Sequence, residues 1–289
     1  MTREIPLRFG WFFSRDSDIT TQNPVAPDSD AQFSDFTLEE PENNRRALIE
    51  RWKKLPRRIE SYPAGIYSDG TKYPAGQMLL IGGEQIMGTF ENQWCKQTAD
   101  RMFEGKRGPL TVVMRGFGQG ITEEHVYNHM RVAGGKLILM ELNQDVARIA
   151  KRFAEAKNRE VQKMTYRPNL EIDVMEGDAD EELAKLPDNS IDLLFSDTHQ
   201  LQPSELGIND ILQPSLLVRK LKPDGKLSIC AFHRENQSGY LDDKQREILA
   251  PMFDDLNISH AEVLVPKHCV YLRGPYKRLP VLVASGPVK

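Results

Sequence analysis

A chain of 289 residues with 38 basic and 42 acidic side chains, and a net charge of −4, has room for one large domain plus an extension but no basic stripe to bind nucleic acid. Its apolar content of 39% is below the usual globular range, which implies that part of the chain packs poorly. Three scattered cysteines, Cys95, Cys230 and Cys269, point to free thiols in a reducing cytoplasm; no apolar run is long enough for a membrane span, and the opening residues lack the order of a secretory signal.

Residues 14–40 are polar, acidic and without periodicity, and read as a loop or mobile arm. Ahead of them Leu7, Phe9, Trp11, Phe12 and Phe13 form an apolar cluster suited to a docked strand, a plug or a lid. Residues 41–56 predict a helix, with Pro41 early and Leu48, Ile49 and Trp52 on one stripe. Residues 62–76 contain Pro63, Gly65, Gly70, Pro74 and Gly76 and predict turns. Helical periodicity returns over 84–103, where Ile86, Phe90, Trp94, Cys95 and Met102 share a broad face. Glu91 falls beside that face, at the rim of a core or pointing into a cleft. These patterns divide the chain into an N-terminal extension, 1–75, partly a mobile arm or lid, and a main domain, 76–289.

From residue 110 onward apolar runs alternate with helical patterns. Strands are expected at 110–115, 137–141, 170–175, 191–196, 227–232, 261–265 and 279–284, and helices at 121–132, 144–158, 179–186 and 207–220. Such alternation implies a parallel sheet covered on both faces. The last two strands are joined by a short segment with Pro275 and no helix signal, so an antiparallel pairing is expected there. The predicted fold is α/β: a Rossmann-like, mostly parallel seven-stranded sheet with a terminal antiparallel strand, the arrangement of class I methyltransferases.

Within it, LTVVMRGFGQG (110–120) is a strand running into a glycine turn, and KLILMELN (136–143) is a strand ending in an acid. Backbone groups around Gly116, Phe117, Gly118 and Gly120 would line the turn, and Glu141, followed by Leu142, sits where a ribose diol is held. The helix after the turn opens with Glu123 and Glu124, and the spacing is G-x-G-x-G rather than G-x-G-x-x-G. Carboxylates at that helix start disfavour a pyrophosphate, so S-adenosylmethionine is expected over NAD or FAD. In GDADEEL (177–183) Asp178 or Asp180, flanking Ala179, are candidates for the adenine amino group, a role compatible with a helix N-cap. Asp197 ends the fourth strand and should face the same crevice. His125 and His129 form an HxxxH pair, but no further ligand completes a metal site, and none is expected.

The motifs IMGTFENQWCKQTAD, GFGQGIT, LMELN, LPDNSIDLLFSDTHQL, VRKLKPDGKLSICAF and EVLVPKHCVYLRGPYKRLPVLVASG occur in one order over about residues 80 to 286. In that order they resemble guanidinoacetate N-methyltransferase and its relatives, which methylate guanidino groups using S-adenosylmethionine. The resemblance implies that Glu91 and Asp197 grip the guanidinium, with Phe90 and Trp94 beside Glu91 and His199, Tyr271 and Arg273 at the substrate site. A guanidinium pairs bidentately with carboxylates, and its nitrogen must be oriented and relieved of a proton before it can accept a methyl group. Three positions depart from the family. Met114, followed by Arg115, stands where an acid orients the methionine end of the cofactor; Ala179-Asp180 replaces Trp-Glu; and His199 replaces a tyrosine.

The last change points to a substrate other than guanidinoacetate, with free L-arginine or an arginine-like metabolite preferred. The expected activity is therefore N-methyl transfer to a small guanidine, leaving S-adenosylhomocysteine, without nucleic-acid or membrane partners. A homodimer is compatible with this reading. The alternatives are methyl transfer to oxygen, carbon or peptidyl arginine, and a non-catalytic cofactor-binding module, the last motivated by Met114.

Overall fold

A computed structural model describes residues 41–165, 169–197, 214–229, 247, 249–269, 272 and 276–288. The N-terminal cluster and polar arm, and among the expected site residues His199, Tyr271 and Arg273, lie outside them. The described chain opens with α1 (Pro41–Lys54) and β1 (Arg57–Tyr62), followed by a two-stranded ribbon of β2 (Gly65–Ile66) and β3 (Lys72–Tyr73). Next come β4 (Gly76–Ile81) and β5 (Glu84–Gly88), and β1, β4 and β5 pair antiparallel as a three-stranded sheet. Met78, Leu79, Leu80 and Ile81 are all buried, so β4 is the covered centre of this sheet.

The helix predicted over 84–103 therefore begins late. Glu84–Gly88 is strand β5, Thr89–Glu91 is a single 3₁₀ turn, and α2 runs from Asn92 to Phe103. Pairing of Met78 with Gly88 and Leu79 with Met87 overrides the local helical period, as long-range partners do for short apolar runs. The turns expected over 62–76 are interrupted by strands, and β4 begins just past the expected boundary at residues 75 and 76 while pairing with β1 before it.

The main sheet is built as the alternation predicts. Its elements in order are β6 (Leu110–Arg115), α3 (Ile121–Ala133), β7 (Gly135–Glu141), α4 (Gln144–Lys163) and β8 (Leu170–Glu176). They are followed by α5 (Ala179–Lys185), β9 (Ile191–Ser196), α6 (Pro214–Lys220), β10 (Leu221–Ile229), β11 (Phe253–Leu264) and β12 (Tyr276–Pro287). Spatially the seven strands run β11-β12-β10-β9-β6-β7-β8. The pairs among β6 to β10 are parallel, and β12 lies antiparallel between β10 and β11.

Central strands read as unbroken apolar runs because both faces are covered. Val112 and Met114 pack with Trp94, Cys95 and Met102 of α2 and with Val126 and Met130 of α3. The alternate residues Val113, Ile138, Met140 and Leu194 pack with Leu183 of α5 and Leu216 and Leu217 of α6. No helix among the described residues is long and apolar enough to cross a membrane.

Asn143 fastens α1 to the sheet. Its buried side-chain Oδ1 accepts the N–H groups of Asp145 and Val146 and so caps α4. Its Nδ2 donates to the carbonyls of Trp52 and Leu55 at 3.0 and 2.9 Å, at the end of α1. Residues 41–56 of the expected extension are thus joined to the turn that follows Glu141.

Candidate functional site

Strand order reverses between β6 and β9, so their carboxyl ends open a crevice at the topological switch point. The turn after β6 fills one side. Gly116, Gly118 and Gly120 have φ of 89°, 53° and 75°, left-handed conformations that glycine adopts without Cβ strain. Gly116 donates to Met140 O and Gly120 to Phe117 O, each at 2.8 Å. Glu141 closes the turn from β7: Oε2 accepts the Phe117 N–H at 2.9 Å and Oε1 the Asn143 N–H at 2.8 Å. Burial raises the Glu141 carboxyl above its ordinary range, and the N–H groups of Phe117, Asn143, Gly118 and Leu142 pull in the opposite direction. The Phe117 ring is buried edge-on against Phe153 of α4, so this residue serves the turn through its backbone and the core through its side chain.

The small sheet reaches the same turn, a contribution that the sequence reading missed. Gln119 Nε2 donates to the Met87 carbonyl at 2.6 Å, and a Cβ added to Gly118 would lie 2.9 Å from Met87 Sδ. Strand β5 therefore covers the glycine turn. The signal was hidden because 84–103 was read as one helix.

Glu91 is buried, and its Oε1 accepts the Gly88 N–H at 2.8 Å, which fixes the 3₁₀ turn between β5 and α2. Asp197, partly buried, follows β9 directly, and its N–H is held by Arg115 O at 2.9 Å. Cys95, buried on α2, senses both: burial and the Glu91 carboxylate push its thiol well up, with further contributions from Asp197 and Glu123, against a hydrogen bond with Thr122. Glu123 is itself raised well above the carboxylate range, first by burial and then by Asp197 and Glu141. The two acids expected to hold substrate and the acid expected to hold ribose thus belong to one electrostatic cluster, joined by a fourth, Glu123.

Other expected site residues have structural partners. Trp94 is buried, and its Nε1 donates to Pro280 O at 2.8 Å, tying α2 to β12. Phe90 is half-buried and lies against Gly88, where a Cβ would clash with its ring. Asp178 caps α5, accepting from the N–H groups of Asp180 and Glu181. Asp180 pairs with Arg115, which also donates to Ser196 Oγ at 3.0 Å. Arg115 thus meets an acid of this chain, and Met114 is packed in the sheet core. His125 and His129 bond Asn92 and Asp100 respectively, and no metal-binding cluster occurs among the described residues.

No protein-family model matches the chain, and no curated protein does. Among solved structures, a spermidine synthase from Thermotoga maritima is similar at TM-score 0.49 and 17% identity, over 78% of this chain and 72% of that one. A precorrin-6y C5,15-methyltransferase from Geobacter metallireducens has TM-score 0.43 and 16% identity, over 65% and 84%. A predicted O-methyltransferase from Agrobacterium tumefaciens has TM-score 0.45 and 16% identity, over 68% and 81%. These are distant likenesses, and the strand order of the sheet itself defines the fold. That order, with β12 antiparallel, is a methyltransferase-like α/β fold. The glycine turn after β6 is closed by the buried carboxylate of Glu141.

Proposed function

We propose that the protein is an S-adenosylmethionine-dependent N-methyltransferase acting on the guanidino group of a small molecule, with free L-arginine or an arginine-like metabolite preferred. The observation that carries this reading is a turn of three left-handed glycines closed by Glu141, with Asp197 bonded through its N–H to the end of the neighbouring β6 and Glu91 buried ahead of α2. The residues suit an adenosyl cofactor without phosphates: Glu141, at the end of β7, would take a ribose diol, the glycines admit close backbone approach, and Glu123 and Glu141 would repel a phosphate. When bound, that cofactor supplies an electrophilic methyl group on a sulfonium.

The chain's own part is orientation and proton removal. A guanidinium offers N–H donors in a rigid fork, and carboxylates approaching from the start of α2 and the end of β9 would hold it by two edges. The reacting nitrogen gains a methyl group and gives up a proton, for which Asp197 or Glu91 is the acceptor. Burial of Glu91 excludes water and strengthens its pull on the cation. The concentration of negative charge also disfavours an anionic nucleophile.

Incubation with S-adenosylmethionine and a panel of guanidines, amines, alcohols and thiols, with release of S-adenosylhomocysteine as readout, tests the proposal. Turnover confined to guanidines supports it. Turnover only with another nucleophile class, or no binding of S-adenosylhomocysteine, defeats it.

A further inference from the structure

Helix α3 carries a carboxylate that the reaction above does not use. Glu123 is 2% exposed, and among the described residues no donor lies within hydrogen-bond distance of its Oε2. A buried polar atom left open in this way is costly unless a partner arrives with a ligand. The charged neighbours of Glu123 are of its own sign: Asp197 past the end of β9 and Glu141 at the end of β7. From the α2 side, Glu91 and Glu123 both act on the Cys95 thiol. Gly120, the N-cap of α3, has no side chain to cap the helix, and the Glu123 backbone N–H acts on its own carboxyl, yet Oε2 stays open.

We propose that Glu123 is a ligand-binding carboxylate whose Oε2 receives a cationic group of the molecule held between the glycine turn and Asp197. The proposal rests on the reading of the crevice as an adenosyl-cofactor and guanidine site, and both ligands bring cations there. On the cofactor the cation is the ammonium of the amino-acid arm; on the substrate it is the guanidinium. Either would give the open Oε2 of Glu123 a partner. Burial and the neighbouring acids raise the Glu123 carboxyl and so favour its protonated form, and a cation that pairs with the carboxylate would displace a proton into solvent. Binding of a cation should then tighten as pH rises, with Glu91, Glu141, Asp197 and Cys95 as the other titratable groups in the cluster.

Titration calorimetry on the full chain and on Glu123→Gln tests this, over a pH series of about 6 to 9. The ligands are S-adenosylhomocysteine, which has the ammonium; 5′-methylthioadenosine, which lacks any cation; and arginine. For wild type, S-adenosylhomocysteine should bind more tightly with rising pH and release a proton. In Glu123→Gln its affinity should fall roughly tenfold or more and the pH slope should flatten, with 5′-methylthioadenosine unchanged.

A loss confined to arginine instead assigns the cation to the substrate and still supports the proposal. Equal losses for both adenosyl ligands, or no loss for any ligand, overturn it. If wild type binds arginine in a Glu123-dependent way but no adenosyl ligand, the cofactor reading falls and this one stands. Wild type binding none of the three overturns both.

Discussion

Glu141 Oε2 accepts the backbone N–H of Phe117 at 2.9 Å, joining the acid at the end of β7 to the middle of the glycine turn 24 residues earlier. The carboxylate therefore shapes the turn before any ligand arrives. Its other oxygen holds Asn143, which caps α4 and fastens α1.

Glu141→Gln should expose this double role. An amide has one acceptor oxygen, so one of the two N–H groups must face an NH₂ donor. The expected cost is about 1–3 kcal/mol in stability, from a buried donor left unmade. The Kd for S-adenosylhomocysteine should rise together with the loss in Tm. Thermal melts and calorimetry on the same preparation check it; a weaker ligand affinity with an unchanged Tm would contradict the structural role.

Asp197→Asn should reduce turnover by roughly 10²-fold or more while leaving the adenosyl Kd within a few fold, because a carboxylate that takes a proton is replaced by an isosteric amide. Glu91→Gln should behave alike and raise KM for the guanidine. Its amide oxygen retains the Gly88 N–H, so the 3₁₀ turn persists. Steady-state kinetics beside cofactor titration separates these outcomes from misfolding.

Asp180→Ala should act on stability first. Arg115 is 2% exposed, and removing this carboxylate takes away one partner of a buried charge, at a cost of about 3–5 kcal/mol. For a chain of this size the Tm should fall by roughly 6–15 °C. A Tm that stays put while S-adenosylhomocysteine binding is lost would return Asp180 to the adenine site.

Glu123→Gln should stabilise the ligand-free protein near neutral pH. The folded-state pKa of Glu123 is raised above its unfolded value, so the folded state holds a proton that the unfolded chain releases. Its contribution to stability is favourable at low pH and is lost as pH rises from the ordinary carboxylate range toward the folded value. The Tm difference between variant and wild type should accordingly grow from about pH 4 upward. Melts across pH measure it, and a difference independent of pH would contradict the sign.

The main sheet was legible because local pattern and tertiary environment agree there. Strands predicted at 110–115 and 191–196 coincide with β6 and β9, since strands buried on both faces must be apolar at every position. The glycine turn and Glu141 were legible for a similar reason: a left-handed turn demands glycine, and a strand-end acid is conspicuous. Strand β5 was not legible, because Ile86 and Phe90 satisfy a helical period, while the pairing that makes 84–88 a strand, Gly88 with Met78 and Met87 with Leu79, is made with residues of β4. Asp180 was assigned to a ligand although its partner is Arg115, 65 residues earlier, a match that no spacing rule announces.

By itself, then, the sequence determined the order of strands and helices in the main sheet, the glycine turn and the identity of the acids, since these follow from periodicity and from the backbone demands of single residues. Only the tertiary structure decided which acids meet. Glu91, Glu123, Glu141 and Asp197 come from four separate places in the chain, and their mutual influence exists because the carboxyl ends of β7 and β9 and the starts of α2 and α3 open on one buried crevice. The dielectric there is set by packing around the carboxylates, not by their neighbours in sequence.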